Sequence, residues 1–187
     1  FLGKGVSYCA TCDGFLFKGK KVAVVGGGNS AVIDAIYLSN IGCKVILIHR
    51  RKQLRADQVL QRTLFDRDIK VIWNSTIEEI QGDKIVCGVK IKDKANNKIR
   101  ELKVDGVFVS IGEEPNNQLA KSIKVKLDEH GYIITDKSQR TNIPKVYGAG
   151  DITGGLKQII TASAEGAIAA TSAYEDIKNP YWADRTK

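Results

Sequence analysis

Apolar and polar positions follow two different periodicities between residues 21 and 55. An apolar run at residues 22–25 leads into a glycine-rich turn at residues 26–31, and residues 32–38 have helical spacing. A second apolar run follows at residues 45–48. Short apolar runs bounded by glycine predict buried strands, whereas spacing of three to four residues predicts a helix. The order strand, glycine turn, helix, strand is typical of a dinucleotide-binding βαβ unit.

The glycine turn has a physical interpretation. Gly26 allows the tight strand-to-helix turn, Gly28 lets a pyrophosphate approach the backbone, and small Ala31 lets the helix pack against the strand. The helix N-terminus adds free N–H donors and a partial positive charge. We count as cofactor-binding candidates the turn residues and the end of a later buried strand at residues 106–112: Gly26, Gly28, Asn29, Ser30, Ile111 and Gly112.

The end of the second strand indicates which cofactor binds. An NAD site places Asp or Glu there for the ribose 2′-hydroxyl, but this chain has His49, Arg50 and Arg51, with Arg55 following. A planar guanidinium suits the 2′-phosphate of NADP. The alternative is a solvated basic turn. We expect NADPH to be the ligand.

The rest of the chain predicts one further set of strands and a long helix. Helical spacing at residues 56–65 precedes apolar β-segments that we interpret as a strand, a meander and a buried return strand, at residues 70–73, 76–80, 85–92, 99–104 and 106–112. We take Pro115 as the end of the dinucleotide domain. A short strand at residues 131–134 and an Ala-rich helix at about residues 158–176 follow. A helix with so many small side chains allows very close packing, so we expect it to lie against another backbone or a cofactor.

Composition narrows the possible functions. The chain has 187 residues, 43% of them hydrophobic, and a formal net charge of +8, which favours acidic ligands. No aromatic-basic stripe suggests nucleic-acid binding, and no run suggests a membrane span or signal peptide. The chain begins with Phe1 and contains no Met, so we expect a fragment of a longer protein.

The pair Cys9 and Cys12 forms a C-x-x-C motif that predicts a redox dithiol in a reducing compartment. We expect no metal site, because no second C-x-x-C occurs and the two histidines lack ligand spacing. Asp13 directly follows and could shuttle a proton. The alternative is a pair of packed structural cysteines. Cys43 and Cys87 are expected to be inert core thiols.

These motifs together resemble the low-molecular-weight thioredoxin reductase family of flavoproteins, over nearly the whole chain. The specific marks are CATCDG at residues 9–14, the turn GGGNSA, the basic segment that begins at His49, and GAGD at residues 148–151. The resemblance implies an α/β fold with two Rossmann-like domains. Residues 1–115 would be the NADPH-binding domain, a parallel sheet with a β-meander crossover. Residues 116–187 would be the C-terminal portion of an FAD-binding domain whose amino-terminal segment is absent.

The resemblance also implies residue roles. NADPH would pass a hydride to FAD, and the reduced flavin would open the Cys9–Cys12 disulfide. Cys12 would face the flavin, Cys9 would attack the substrate disulfide, and Asp13 would protonate the leaving thiolate. Asp151 would bind the FAD ribitol, with Gly150 beside it as a further cofactor-binding residue, and the isoalloxazine would lie along Lys157, Gln158 and Ile159. Many relatives carry Arg where this chain has Lys157.

The implied partner is thioredoxin or a similar protein disulfide, in a cytoplasmic homodimer that binds neither nucleic acid nor membrane. Two other functions remain open at this stage. One is the flavoprotein reductase component of a peroxidase system, and the other is a non-catalytic NADP-binding module that senses redox state. Residues 1–187 alone are expected to bind NADPH, to bind FAD weakly or not at all, and to have negligible turnover.

Overall fold

The apolar runs of the first half form a five-stranded parallel sheet with the order β1-β8-β2-β3-β4. The computed structural model describes residues 1–182. Residues 183–187, which the predicted second domain includes, lie outside the described residues. The strands of this sheet are β1 (Val6–Ser7), β2 (Lys21–Gly26), β3 (Lys44–Ile48), β4 (Lys70–Ile72) and β8 (Gly106–Ser110).

The predicted βαβ unit is confirmed. Strand β2 pairs with β3 in parallel, with Val22 opposite Val45, and α2 (Asn29–Asn40) connects the two strands. On the other side β2 pairs with β8, with Val24 opposite Phe108. The glycine turn therefore lies at the carboxyl edge of the central strand, where parallel sheets of this type bind ligands.

Alternation along β2 gives the parallel sheet two covered faces. Val22 and Val24 point to a cluster that includes Ala31, Val32, Ala35 and Leu38 of α2 and Leu64 of α3 (Gln58–Asp66). Ala23 and its neighbours on that face pack against a second cluster. This cluster includes residues of the antiparallel sheet formed by β5 (Ser75–Gly82), β6 (Val86–Asp93) and β7 (Ile99–Lys103). Helices, parallel sheet and predicted meander thus form three layers.

Short elements surround the motifs. Before β2 lie α1 (Ala10–Asp13) and a 3₁₀ helix (Gly14–Phe17). The chain divides into two compact units, residues 1–112 and residues 113–187. The second unit contains α4 (Gln118–Ser122), a 3₁₀ helix (Asp151–Thr153) and the long α5 (Ile159–Lys178).

Two sequence predictions are wrong. Residues 131–134 do not form a strand, because their pairing is limited to one isolated antiparallel bridge between Ile133 and Leu127 that does not extend into a ladder. Cys87 is exposed rather than in the core. It lies on β6 between the buried residues Val86 and Gly88, so strand alternation points its side chain to the opposite face. Cys43 is buried as predicted.

Candidate nucleotide-binding and disulfide site

A cavity of about 390 Å³ lies at the carboxyl ends of β2, β3 and β8. Asn29 and Arg51, both predicted to bind the cofactor, are not among its lining residues. The other predicted nucleotide-binding residues line it together: Gly26, Gly28, Ser30, His49, Arg50, Arg55, Ile111 and Gly112. The sheet thus brings three separate parts of the sequence, the glycine turn, the basic segment and the end of β8, around one space.

The glycines of the turn are required for different reasons. Gly26 has a φ of +155°, and a β-carbon there would overlap the Ser110 carbonyl and the Ala31 methyl. A β-carbon on Gly27 would overlap the imidazole of His49. Gly28 has ordinary extended backbone, and a β-carbon there would meet no protein atom within 4 Å. Because the protein itself does not need a glycine at position 28, the open space there suits a ligand approaching the N-terminus of α2.

Several contacts tie the basic segment to the glycine turn. The Arg55 amide donates to the Gly27 carbonyl at 2.7 Å. The ring nitrogens of His49 lie 2.8 Å from the Gly26 carbonyl and 2.9 Å from the Gln53 carbonyl. His49 is 4% exposed. The imidazole therefore holds the two walls of the cavity together, and both of its polar atoms contact the main chain.

Asn29 also ties the two walls together. Its amide nitrogen donates to the Asp57 carboxylate at 2.9 Å, and its side-chain oxygen accepts from the Asp57 backbone N–H at 2.8 Å. Asp57 is the N-cap residue of α3. The side chain of Asn29 is therefore bonded to the residue that begins α3. Nothing in the sequence pattern indicates this pairing, because the partners are 28 residues apart.

Asp34 is a group near this edge that the sequence prediction missed. The Ser110 hydroxyl, at the end of β8, donates a hydrogen bond to its carboxylate. Burial raises the pKa of Asp34 above its ordinary value, and the bond from Ser110 partly offsets that shift. Ser110 also lines the cavity. A half-buried carboxyl therefore lies behind the wall of the nucleotide cavity.

The two predicted redox cysteines form a disulfide. Cys9 is the N-cap residue of α1, and its sulfur accepts the Cys12 backbone N–H at 3.2 Å. Cys12 is exposed and Cys9 is partly exposed. A sulfur that already accepts a backbone N–H is favoured as a thiolate. The motif is thus accessible and chemically suited to disulfide exchange.

Asp13 lies at the end of α1, and a residue that the sequence prediction missed contacts it. The Ser7 hydroxyl donates to the Asp13 carboxylate at 2.7 Å, and Ser7 is 2% exposed. The same oxygen accepts the Cys9 backbone N–H at 3.1 Å. Ser7 therefore joins β1 to both ends of the redox motif.

In the second unit, Glu165 of α5 holds the segment that carries Asp151. Its carboxylate accepts the Gly150 N–H at 2.7 Å and the Thr153 hydroxyl at 2.9 Å. Gly150 has a φ of +82°, which favours glycine. The turn that presents Asp151 is thus fixed from the helix.

Lys157 is held within the second unit. Its ammonium binds the Glu113 carboxylate, donates to the Tyr132 hydroxyl at 2.7 Å, and lies 4.7 Å from the centre of that ring. Burial lowers the pKa of Lys157, but the hydrogen bonds to Glu113 and Tyr132 outweigh it and raise the pKa above the ordinary value. These residues and Asp151 line a cavity of about 260 Å³. Gln158 and Thr161 form a capping box that begins α5.

A charged network fixes the other end of α5. Arg140 binds the Asp176 carboxylate through two nitrogens, each at 2.7 Å, and the Tyr147 hydroxyl donates to the same carboxylate at 2.7 Å. The Arg140 bonds lower the pKa of Asp176. Burial, followed by the bond to Asp176, raises the pKa of Tyr147 to about 12.

Within residues 1–182 no cluster of potential ligands could hold a metal ion. In the same described part, none of the helices is both long and apolar enough to cross a membrane.

A cavity at the carboxyl edge of a parallel sheet and an accessible disulfide thus lie in the same unit of the chain. Residues 1–166 match the family described as pyridine nucleotide-disulphide oxidoreductase. The chain belongs to that family, which confirms the resemblance noted in the sequence.

The relatives are named thioredoxin reductases. That of Coxiella burnetii is 45% identical over 92% of this chain and 57% of its own length. That of Listeria innocua is 43% identical over 99% of this chain and 60% of its own length. The crystal structure of the thioredoxin reductase of Streptococcus pyogenes superposes with a TM-score of 0.87 at 41% identity, covering 94% of this chain and 58% of that one. The chain therefore spans about three fifths of the length of the relatives it matches.

Proposed function

We propose that the whole protein is an NADPH-dependent, FAD-containing thioredoxin-disulfide reductase. The observation that carries this proposal is the accessible Cys9–Cys12 disulfide beside Asp13, in a family that couples pyridine nucleotides to disulfides. The names of the relatives support it and do not favour a peroxidase component or a redox sensor.

The nucleotide site is assigned to the first unit. Residues 1–115 bind NADPH, with the pyrophosphate at Gly28 and the N-terminus of α2. The 2′-phosphate lies at Arg50 and Arg55, which line the cavity. His49 positions the glycine turn and the basic segment through its contacts with main-chain carbonyls. Asn29 does so through its two bonds to Asp57. Arg51, which does not line the cavity, adds positive charge nearby.

The flavin site is assigned to the second unit. Residues 116–187 form the returning part of the FAD domain, where Gly150 and Asp151 hold the ribitol, and Lys157, Gln158 and Ile159 lie along the ring system. The turn fixed by Glu165 and the exposed start of α5 support this assignment. When bound, NADPH and FAD supply the electron pair that opens the disulfide.

The residues of this chain carry out the exchange that follows. Cys9, as the thiolate, attacks the disulfide of thioredoxin, and Asp13 gives a proton to the departing sulfur. Cys12 then displaces the second sulfur and the Cys9–Cys12 disulfide forms again. A cytoplasmic homodimer is the expected setting.

The test is NADPH oxidation by the flavin-loaded whole protein in the presence of oxidised thioredoxin. We expect turnover that Cys9→Ser and Cys12→Ser each abolish, while both variants still bind NADPH. A protein that binds NADPH but reduces no thioredoxin would contradict the proposal and favour the sensor. Faster turnover with a peroxidase disulfide than with thioredoxin would favour the peroxidase component.

A further inference from the structure

We propose that Ser7 is a positioning residue for disulfide exchange, because it holds the Asp13 carboxyl in the orientation that delivers its proton. The inference rests on the proposed function, in which Asp13 protonates the departing thiolate. Ser7 lies outside the C-x-x-C motif, two residues before Cys9.

The backbone fixes the position of Ser7. It is the second residue of β1, pairs in parallel with Phe108 of β8, and is 2% exposed. Two clusters of buried side chains pack on the sheet that carries β1, so this serine cannot shift as a loop residue would. A hydroxyl at this position is therefore a rigid point from which a neighbouring side chain can be held.

The hydrogen-bond geometry shows where the single Ser7 proton goes. The Ser7 oxygen is 2.7 Å from the Asp13 carboxylate and 3.2 Å from the Cys9 carbonyl. The shorter distance is the usual one for an O–H···O bond, whereas 3.2 Å is long for one. The proton therefore points to Asp13, while the Ser7 lone pair accepts the Cys9 N–H.

This bond limits what the Asp13 carboxyl can do. With Oδ2 held by Ser7, the other oxygen is left to carry the transferable proton. In the first step the Cys9 sulfur bonds to one substrate sulfur, the substrate S–S bond breaks, and the departing thiolate takes the Asp13 proton. In the second step Cys12 gives its proton to the Asp13 carboxylate, and its sulfur bonds to that of Cys9. The second substrate sulfur leaves as a thiolate, so the chain loses two electrons and the substrate gains two.

Single-turnover exchange tests this role without a flavin. The chain is reduced with dithiothreitol, freed of reductant, and mixed with oxidised thioredoxin at several concentrations, and the new thioredoxin thiols are counted after an acid quench. We expect Ser7→Ala to slow the limiting rate about ten- to a hundredfold, because it removes the hydrogen bond that orients the Asp13 carboxyl. The thioredoxin concentration at half-maximal rate should not change. Ser172→Ala, also a buried serine, is the matched control and should react like the wild type.

Measuring Ser7→Ala in a second variant, Asp13→Asn, separates the positioning of Asp13 by Ser7 from a structural effect on the turn. In Asp13→Asn the exchange is already slow, and adding Ser7→Ala should change it by less than about twofold, because contacting residues on one path are not additive. An equal slowing by Ser7→Ala in both backgrounds would overturn the proposal.

The isosteric pair Ser7→Thr and Ser7→Val covers the case in which Ser7→Ala does not fold. These two variants differ by one hydroxyl, so the threonine variant should react much faster than the valine variant. Equal rates would overturn the role of Ser7. A wild-type chain that transfers no electrons to thioredoxin would instead contradict the proposed function.

Discussion

The helices of the two compact units differ sharply in how much of their surface the chain covers. Helix α2 buries a full face, with Ala31, Val32, Ala35 and Leu38 at 0% exposure. Helix α5 is longer, yet its buried residues are Ser172 and Asp176, and Ile159 at its start is 88% exposed. Helices of this kind are stabilised mainly by packing rather than by propensity. The first unit thus contains the partners of its own helix, whereas α5 depends on a few polar anchors.

The same difference separates the two candidate cofactor sites. The nucleotide cavity is lined by strands and turns that are themselves packed on both faces. The turn with Asp151 and the start of α5 are held by Glu165 and a capping box, while apolar side chains there face outward. Nucleotide binding should therefore survive changes that disrupt the second unit.

The largest effect is expected from breaking the anchor of α5. Arg140→Ala leaves the Asp176 carboxylate, 3% exposed, without its two nitrogen partners. A buried charge without its partner is strongly destabilising. We expect the second unit to unfold at a lower temperature, while the NADP⁺ affinity of the first unit stays unchanged. Circular dichroism on heating, with NADP⁺ titration beside it, measures both. A loss of both together would show that the two units depend on each other.

The stability of the second unit in acid tests the same difference between the two units. Because the Arg140 bonds lower the pKa of Asp176 below 3.8, this carboxylate contributes stability that is complete above that pH and is lost as the pH falls through the lowered pKa. The second unit should therefore lose stability in acid. Asp176→Asn should remove this part of the pH dependence at the cost of lower stability near neutral pH. An unchanged acid profile in that variant would contradict the assignment.

A smaller effect, confined to binding, is expected for Arg55→Ala. Removing a guanidinium that binds a phosphate costs about 1.5–3 kcal/mol, so NADPH affinity should fall about ten- to a hundredfold. Affinity for NADH, which lacks the 2′-phosphate, should change little. Calorimetric titration of both nucleotides gives the ratio. Arg100→Ala, an exposed arginine on β7, serves as the control, and an equal loss for NADH would contradict the 2′-phosphate role.

The smallest effect distinguishes two glycines of one turn. Gly28→Ala should leave the free energy of unfolding within about 1 kcal/mol of the wild type, because its backbone is ordinary and its β-carbon meets no protein atom. Nucleotide affinity should nevertheless fall, since the pyrophosphate would meet that methyl. Gly26→Ala should instead destabilise the fold, through its positive φ and the overlap with Ser110. Denaturant unfolding and NADP⁺ titration of both variants separate these cases, and the reverse pattern would move the ligand away from Gly28.

The sequence predicted the βαβ unit and the C-x-x-C motif because both are local. A glycine turn between a strand and a helix, or two cysteines one turn apart, determines its geometry within a few residues. The Ser7–Asp13 bond is nearly as local, but a serine in a two-residue strand carries no periodic signal. The pairing of Asn29 with Asp57 spans 28 residues and depends on where α3 begins.

The errors have related causes. The apolar segment at residues 131–134 matches the strand pattern, yet it forms only one isolated bridge, between Ile133 and Leu127. Cys87 was assigned to the core from its place in an apolar run, whereas the two-residue repeat of β6 decides its face. The contact between Glu113 and Lys157 joins residues 44 positions apart, so no local pattern indicates it.

Gly27 and His49 occupy adjoining space, and this links two positions that a protein engineer would otherwise vary separately. Any side chain at position 27 needs the volume that the imidazole fills. A library that varies position 49 alone keeps Gly27, and one that varies position 27 alone keeps the imidazole that excludes every larger side chain there. Randomising both positions together opens combinations, such as a small side chain at 49 with alanine at 27, that single-site scanning rejects as misfolded.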